Sequence, residues 1–448
     1  MSTPNVHAQF DENIEPGSLS DRLASNKNYG WYVVAMLWLI SFFNYADRQA
    51  IFSVFPLLEK EFGLSLTAQG ALGSSFAIIY GLGAPFAGYI VDKIRRKRAI
   101  LIGLHIWSIV CVLTATSQKY WHLLFFRAAE GLGESCYYPA SMSMVSDYHG
   151  KKTRSRAMGF HQTSVYVGTI GGGALAGLLA EHFGWRSSFI VFGTMGIVLG
   201  IFLQRLLLEP KRGNADRLDQ GQDINTKQPE SASIRETIHI IVNTPTLLML
   251  LGAFASANFV ASIMLSWMPS YLGKNFGLSL TMAGLAGTAF LQFGSMVGAP
   301  LGGYLADRLR AITPRGRLIV QAIGVLGGAP FVLLCGMTTT LSVLIVAMSF
   351  WGLFKGLYDA NIFASAFDVV PAKARGTTAG VMNCIGWGLG GFPAPIIIGA
   401  IGDKYGLPFA IGAASVVYLL SAVFLLTAIT FFVKRDSARL QASISTNQ

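Results

Sequence analysis

Twelve long apolar runs constrain what this chain can fold into. They begin near Trp31, Thr67, Ala99, Trp121, Arg156 and Ser187, and a second set begins near Pro245, Thr281, Leu318, Leu341, Arg375 and Gly406. Most approach or exceed the roughly 20 residues that a helix needs to cross about 30 Å of hydrocarbon. Only 13% of the residues are charged, against about a quarter in soluble proteins. The sequence therefore predicts an all-α membrane protein with twelve transmembrane helices, of which the fourth and tenth are the most diluted by charge.

The basic residues follow the topology of these spans. The loops after spans 2, 4, 6, 8 and 10 hold twenty lysines and arginines, whereas the alternate loops hold five. By the positive-inside rule, both termini are then cytoplasmic. The net charge of +11 reflects this topology, and no nucleic-acid partner is expected. No cleavable signal peptide is expected either, because residues 1–29 are polar.

The chain contains an internal repeat. The hexapeptide Phe-Gly-Leu-Ser-Leu-Thr occurs at 62–67 and again, letter for letter, at 276–281. Parallel repeats of this kind build twelve-helix secondary transporters, so two pseudo-symmetric six-helix bundles are expected. The predicted divisions are a cytoplasmic tail, a first bundle, a cytoplasmic linker, a second bundle and a second cytoplasmic tail, at 1–29, 30–208, 209–240, 241–434 and 435–448.

A second repeated motif lies in the loops after spans 2 and 8, as Gly-Tyr-Ile-Val-Asp-Lys at 88–93 and Gly-Tyr-Leu-Ala-Asp-Arg at 303–308. Glycine allows close helix approach, and the Asp can accept hydrogen bonds from a helix start or an arginine. We expect a latch that opens and closes with an inner gate, formed by Gly88, Asp92, Arg96, Gly303, Asp307 and Arg308. The alternative is a basic loop that only sets topology, which explains the arginines but not the Gly and Asp spacing.

Charges also lie inside the apolar runs. Arg127, Glu130 and Glu134 share one helical face of span 4, at about 100° per residue. Each costs roughly 2.5–3.5 kcal/mol at the bilayer centre, so such residues usually face a watery cavity and carry function. Span 1 likewise holds Asp47 and Arg48, and an apolar run continues beyond them.

These patterns resemble a known family. Twelve spans, the repeated loop motif, Asn-Tyr-Ala-Asp-Arg at 44–48 and Arg-x-x-Glu-Gly-x-Gly-Glu at 127–134, followed by Pro139, look like the major facilitator superfamily. With Trp-Met-Pro-Ser-Tyr at 267–271, the pattern resembles the anion:cation symporters, carriers of sugar acids and other organic anions. The resemblance covers about residues 30–434. Arg95 departs from it, because the loop motif usually has glycine there. Spinster-like lipid transporters share a related pattern and stay open as an alternative.

The resemblance implies roles for four residues. The family's substrate residues correspond to Arg48 and Arg127, and its proton-coupling residues to Asp47 and Glu134. The chemistry agrees, because a guanidinium stays charged and can grip a carboxylate with two hydrogen bonds. A carboxyl group in an apolar wall also takes up a proton more readily than in water. Glu130 either takes part in gating or pairs with Arg127 one turn away.

Further polar side chains lie at membrane depth. Those that can either hydrogen-bond the hydroxyls of a polyol acid or satisfy a neighbouring helix are Tyr45, Tyr80, Gln162 and Asn383. In span 10, Lys355 and Asp359 are i, i+4 partners. They form either a self-contained ion pair or a gating or substrate contact.

No cofactor and no metal are expected. The four cysteines have no close pair along the chain. The glycine runs at 171–173 and 386–391 lack the preceding strand and the Gly-Lys-Ser/Thr element of a phosphate-binding loop. Nothing resembles an ATPase, so an ion gradient is expected to supply the energy.

The sequence therefore predicts a secondary transporter rather than an enzyme. It is expected to be a monomer in the inner cell membrane that moves an organic anion, such as a hexonate or hexuronate, together with protons by alternating access. The first alternative is a transporter of lysolipids or other amphiphiles. A remote alternative is a receptor that does not transport, for which the short polar linker and tails offer no signalling domain.

Overall fold

The computed structural model describes Phe10 and residues 18–150, 152–215, 233–371 and 374–445. The N-terminal half contains α1 (Leu19–Ala24), α2 (Tyr29–Ser53), α3 (Phe55–Phe62), α4 (Leu66–Lys93), α5 (Arg96–Thr114), α6 (Tyr120–Ser135), α7 (Tyr137–Tyr148), α8 (Arg154–Phe183) and α9 (Trp185–Leu206). The C-terminal half contains α10 (Ile234–Val242), α11 (Pro245–Phe276), α12 (Leu280–Ile312), α13 (Gly316–Met337), α14 (Leu341–Asp359), α15 (Ile362–Phe367), α16 (Arg375–Ile385), a π-helical segment (Gly386–Gly391), α17 (Pro393–Tyr405), α18 (Leu407–Thr427), a second π-helical segment (Ala428–Phe432) and α19 (Val433–Ser445).

These helices supply the twelve predicted spans. Within the described ranges, nine helices are long and apolar enough to cross a bilayer, and they correspond to spans 3 and 5 to 12. Helices α2 and α4 and the α6–α7 pair take the places of spans 1, 2 and 4. Span 4 is broken at Cys136, and its first part, α6, has only 16 residues. Most of the predicted linker and parts of both predicted tails lie outside the described residues, and α10 begins in the predicted linker and extends two residues beyond it.

The repeated hexapeptide ends one span and begins the next. Gly63 and Gly277 close α3 and α11 with left-handed φ angles of 65° and 69°, which glycine adopts without a steric penalty. Two residues later, Ser65 and Ser279 cap the following helices by accepting a hydrogen bond from the backbone N–H three residues on, at 3.2 and 3.3 Å. In each half, the repeat therefore ends one helix and begins the next in the same way.

The hexapeptides lie at the outer end of the molecule, opposite the inner end, where α9 ends at Leu206 and α10 begins at Ile234. At the outer end, a carboxylate from each half caps a helix of the other half. Asp403 of α17 accepts hydrogen bonds from the N–H groups of Leu66 and Thr67, at 2.8 and 2.9 Å. Glu181 of α8 accepts one from the N–H of Thr281, at 3.0 Å. Both carboxylates also accept from the threonine hydroxyl, at 2.6 Å. Each thereby satisfies N–H groups that a helix start leaves open.

One helical turn deeper, glycines let the same helices touch. A Cβ on Gly399, four residues before Asp403, would stand 2.4 Å from a carbonyl oxygen of the opposing hexapeptide. A Cβ on Gly177, four residues before Glu181, would stand 2.3 Å from the corresponding oxygen. We call these two glycine–carboxylate pairs, Gly177 with Glu181 and Gly399 with Asp403, the outer clasps.

Two more contacts close the outer end. Lys274 of α11 forms a salt bridge with Glu59 of α3. Phe55 packs against Trp267, with ring centroids 5.5 Å apart, and Trp267 is fully buried. The Trp-Met-Pro-Ser-Tyr element at 267–271 is therefore part of the interface between the halves.

Candidate functional site

A cavity of about 520 Å³ lies between the two halves. Its N-terminal wall includes Tyr45, Arg48 and Gln162, and its C-terminal wall includes Lys355 and Asp359. Residues of α15, at the inner end of span 10, also line it. The cavity therefore extends from mid-span towards the inner end, while the clasps close the outer end. Its size suits a small organic molecule.

Arg48 lies in a box of four aromatic rings. Its guanidinium carbon is 4.7, 4.6 and 4.8 Å from the ring centroids of Tyr45, Phe76 and Tyr80, and 5.6 Å from that of Trp387. Such rings stabilise a cation that has left water. Within the described part of the chain, Nη1 of Arg48 has no hydrogen-bond partner. The box therefore presents an unused donor next to the cavity.

The remaining donors of Arg48 hold Glu134. Its Nη2 and Nε both donate to Oε2 of Glu134, at 2.6 and 3.2 Å. Glu134 is buried and does not line the cavity. An anion that enters the cavity can thus compete with Glu134 for the same guanidinium.

Arg127 pairs within its own helix. It donates to Oε2 of Glu130, and both side chains are fully buried. Arg127 does not line the cavity, and the ring of Phe76, 5.2 Å from its guanidinium carbon, also contacts Arg48. The two arginines were predicted as joint anion anchors. In this conformation only Arg48 lines the cavity, whereas Arg127 is buried in its ion pair with Glu130.

Asp47 is buried on the side away from the cavity. Its Oδ1 accepts a hydrogen bond from the thiol of Cys111 at 3.0 Å, and its Oδ2 has no partner among the described residues. Donor atoms of Asp47, Cys111 and Glu130 lie within 4.8 Å of one another, close enough to share a cation. The guanidinium of Arg127 supplies positive charge there through its bond to Glu130.

These buried groups comprise three acids and two arginines. Arg48 with Glu134 and Arg127 with Glu130 form two ion pairs. Asp47 has no ion-pair partner within 4.0 Å in the described ranges. The five groups have no net charge when Asp47 carries a proton. This protonated form is favoured because an unpaired charge in an apolar interior is costly.

Only some of the other predicted substrate-contact residues line the cavity. Tyr45 and Gln162 line the cavity, whereas Asn383 does not. Tyr80 packs against Trp387, with centroids 5.5 Å apart, and thereby against Arg48. Lys355 and Asp359 form an ion pair with each other, and both line the cavity.

Trp387 was not singled out by the sequence analysis. It lies in the π-helical segment of span 11, where the N–H of Phe392 donates to the carbonyl of Trp387 at 2.7 Å. Such segments are rare and often lie at functional sites. The glycine run at 386–391 was the available signal, but it carries no information about the direction of a side chain.

At the inner end, each half has one matching salt bridge. Arg96 pairs with Asp147, and Arg317 pairs with Asp368 at 2.8 Å. Arg317 and Asp368 are 51 residues apart, as are Arg96 and Asp147. The sequence analysis named only Arg96 of these four, because the acids lie outside the repeated motif.

The predicted latch residues are arranged as follows. Asp307 contacts Arg317 at 3.4 Å, and Arg308 lies over the ring of Tyr304, 4.9 Å from its centroid. A Cβ on Gly303 would meet nothing within 4 Å. Gly88 and Asp92 lie in α4 but outside the residues whose side chains are described. The latch stays a prediction.

This architecture defines a class: a twelve-span membrane protein whose two repeated halves enclose a cavity lined by buried charge, as in secondary transporters. A sequence profile of the Major Facilitator Superfamily matches residues 37–395 and 273–446. The chain belongs to the Major Facilitator Superfamily.

Similar proteins carry two kinds of name. The probable galactarate/D-glucarate transporter of Bacillus subtilis (strain 168) is 28% identical over 88% of this chain and 91% of its own length. The probable L-galactonate transporter of Escherichia coli (strain K12) is 25% identical over 90% and 89%. The spinster protein of Drosophila melanogaster is 27% identical over 85% of this chain, which spans 63% of that protein's length. The resemblance to the anion:cation symporters is confirmed, and these relatives are transporters rather than enzymes.

A solved structure shows the same fold. A bacterial homologue of the human lysosomal transporter spinster, in an inward-facing and unoccupied conformation, superposes with a TM-score of 0.81 at 24% identity. The match covers 92% of this chain and 99% of that one. The predicted two-bundle, twelve-helix fold is thereby confirmed.

Proposed function

We propose that this protein is a proton-coupled symporter of an organic anion. The observation that carries the proposal is Arg48, which lines the cavity, has one buried donor without a partner among the described residues, and holds a carboxylate, Glu134, that a substrate carboxylate can replace. A guanidinium fork fits a carboxylate in two-point contact.

Coupling follows from charge neutrality. In the empty site, Glu134 neutralises Arg48, and a proton neutralises Asp47. When a substrate carboxylate binds Arg48, Glu134 loses its ion-pair partner. Glu134 then takes up a proton, because an isolated charged carboxylate is costly to bury. Anion and proton then cross the membrane together without a net buried charge.

Alternating access provides the route. The clasps and the Glu59–Lys274 salt bridge close the outer end, and the cavity extends towards the inner end. The two bundles, 30–208 and 241–434, rock about the site, and opening the clasps exposes it to the outer side. The positive-inside pattern supports an inner end and termini in the cytoplasm, and we place the protein in the inner cell membrane.

Sugar acids are the substrates that the site fits best. Two relatives are named as sugar-acid transporters, and the wall offers Tyr45 and Gln162 to hydroxyl groups. Lys355, from the opposite half, offers a second cation if it leaves Asp359. A diacid would then bridge the two halves from Arg48 to Lys355.

A lysolipid is the second candidate. The spinster relative and the aromatic part of the wall, which includes Phe52, Phe76, Phe254 and Phe363, favour an amphiphile. Its anionic headgroup would still need Arg48.

A thermal-shift screen of the purified protein decides between these classes. Hexonates, hexuronates, aldarates, aromatic acids and lysolipids are tested on the wild type and on Arg48→Gln. We expect stabilisation by a sugar acid that Arg48→Gln abolishes, while Lys119→Gln, an exposed substitution, keeps it. Stabilisation by lysolipids alone supports the second candidate. A sugar-acid shift that persists in Arg48→Gln contradicts the assigned anchor.

A further inference from the structure

One hydrogen bond joins the two halves at the cavity itself. Nε2 of Gln49, on α2, donates to the backbone carbonyl of Leu265, on α11, at 2.9 Å. Both residues line the cavity, and Gln49 is only 4% exposed. Gln49 directly follows Arg48 along the chain. The bond between the halves therefore lies next to the guanidinium that is proposed to hold the substrate.

A proline explains why this carbonyl is open to a donor from the other half. Pro269 lies inside α11 and is buried. Because proline has no N–H, the carbonyl of Leu265, four residues earlier, lacks its α-helical partner. A Cβ on Gly287 of α12 would stand 2.8 Å from the proline nitrogen, so α12 covers the proline itself. The amide of Gln49 thus supplies the donor that α11 lacks.

This hydrogen bond is the innermost of three contacts that α11 makes with α2 and α3. Lys274 pairs with Glu59 at the outer surface. Leu265 is nine residues before Lys274, about 14 Å deeper along the helix. The contact of Phe55 with Trp267 lies between these two levels. When the halves separate at the outer end, the hydrogen bond beside the cavity must break as well.

The loss of this donor has different costs in the two conformations. With the outer end closed, the amide satisfies a carbonyl that its own helix leaves open, and a carbonyl without a donor in such a place is costly. With the outer end open, water reaches the carbonyl. Removal of the amide therefore destabilises the closed conformation and leaves the open one unaffected. Such a difference is what shifts a conformational equilibrium.

We propose that Gln49 is a positioning residue that holds the outer end closed at the substrate site, through the carbonyl that Pro269 leaves open. The inference rests on the proposed alternating access. It gives the proline of the Trp-Met-Pro-Ser-Tyr element a specific task, which is to present an acceptor on α11 to the opposite half. Residues 48 and 49 then divide the work, since one binds the substrate and the other closes the path behind it.

Spin labels at the outer end test the proposal without any substrate. Lys60→Cys and Asn275→Cys place them at exposed positions of the two halves, in a background with Cys136→Ser and Cys384→Ser. Pulsed electron paramagnetic resonance then measures the ratio of open to closed molecules. We expect Gln49→Leu to raise this ratio on the order of tenfold, because a carbonyl in the closed state loses its donor.

A change at the proline distinguishes this role from a general packing role. Pro269→Ala restores an N–H that can donate to the carbonyl of Leu265 within α11. In that background, Gln49→Leu should change the ratio by no more than about twofold. The control Ser262→Ala lies on the same helix and removes a bond to the carbonyl of Gly391, in the same half, at 3.2 Å. It should leave the ratio unchanged.

A second variant guards against a folding defect. Gln49→Asn keeps the amide but shortens its reach by one carbon, so it should shift the ratio in the same direction, while thermal unfolding shows that the protein is folded. An unchanged ratio in both folded variants would overturn the proposal, and so would equal effects of Gln49→Leu in the proline and alanine backgrounds.

The clasp variant Gly177→Ala separates this inference from alternating access. If Gly177→Ala opens the outer end and the two Gln49 variants do not, only the role of Gln49 is wrong. If the outer end stays closed in every variant, the proposed alternating access and the role of Gln49 are both overturned.

Discussion

Arg48 can serve two carboxylates in turn. It holds Glu134 at 2.6 Å, and four rings surround it. In the proposed mechanism, a substrate carboxylate that binds this guanidinium releases Glu134. In this mechanism the same guanidinium links substrate binding to the protonation of an acid that lies outside the cavity.

The geometry of this exchange predicts the effect of Arg48→Lys. An ammonium group keeps the charge but loses the planar fork. We expect substrate binding to weaken by about 1.5–3 kcal/mol, the usual value of a hydrogen bond to a charged group. Isothermal titration of the anion measures this loss. An affinity equal to that of the wild type would show that Arg48 acts only through its charge.

Lys355 should separate diacids from monoacids. Lys355→Met removes the second cation, so we expect about tenfold weaker binding of an aldarate and unchanged binding of a hexonate. Asp359→Asn frees Lys355 from its ion pair and should strengthen aldarate binding. Competition binding with both acids measures the difference. Equal effects on the two acids would mean that Lys355 and Asp359 only stabilise span 10.

Much of this site could be predicted, including the Arg127–Glu130 pair as one alternative, but not the partner of Arg48. Helical periodicity places Arg127, Glu130 and Glu134 on one face, and all three are buried. Periodicity does not determine which acid reaches Arg48 of span 1, because that depends on the packing of two helices distant in sequence. Trp387 was missed for a related reason, since its direction depends on a π-helical turn.

At the scale of the helices, the outer clasps join the halves through a glycine and a carboxylate one turn apart. The hexapeptide that each clasp contacts could be recognised in the sequence, because its repeat is exact. Glu181 and Asp403 stand in a looser repeat, Gly-x-x-x-Glu/Asp-x-Phe/Tyr-Gly at 177–184 and 399–406, which does not identify the helix starts that these acids cap. The repeat thus located the turns, while their partners depended on tertiary structure.

Gly177→Ala should weaken the closure of the outer end. The added methyl would stand 2.3 Å from a carbonyl oxygen of the opposing helix, so α8 and α12 must separate, at about 1–3 kcal/mol. We expect more frequent outward opening, measured as faster labelling of an introduced cysteine in the cavity from the outer side.

Gly159→Ala is the matched control on the same helix, since a Cβ there would meet nothing within 4 Å. It should not change the labelling rate. Equal rates in the two variants would mean that the contact at Gly177 does not hold the outer end closed.

At the scale of the whole molecule, the outer end is closed and the cavity extends inwards, so the proposed alternating access requires the outer contacts to break. Disulfide locking tests this requirement. In a background with serine at positions 136 and 384, Glu59→Cys/Lys274→Cys replaces an inter-half salt bridge. Oxidation should stop transport, and a reductant should restore it, while Glu59→Cys alone stays active. Undiminished transport by the cross-linked protein would contradict alternating access.

The central claim is that Glu134 couples protons to the anion that displaces it. The most direct test compares two transport assays of Glu134→Gln in proteoliposomes, with Glu61→Gln, which changes an acid of α3 that pairs with Arg186 away from the cavity, as the control. We expect Glu134→Gln to retain substrate exchange between the two sides but to lose accumulation driven by an imposed proton gradient, whereas the control keeps both. Full gradient-driven accumulation by Glu134→Gln would contradict the account.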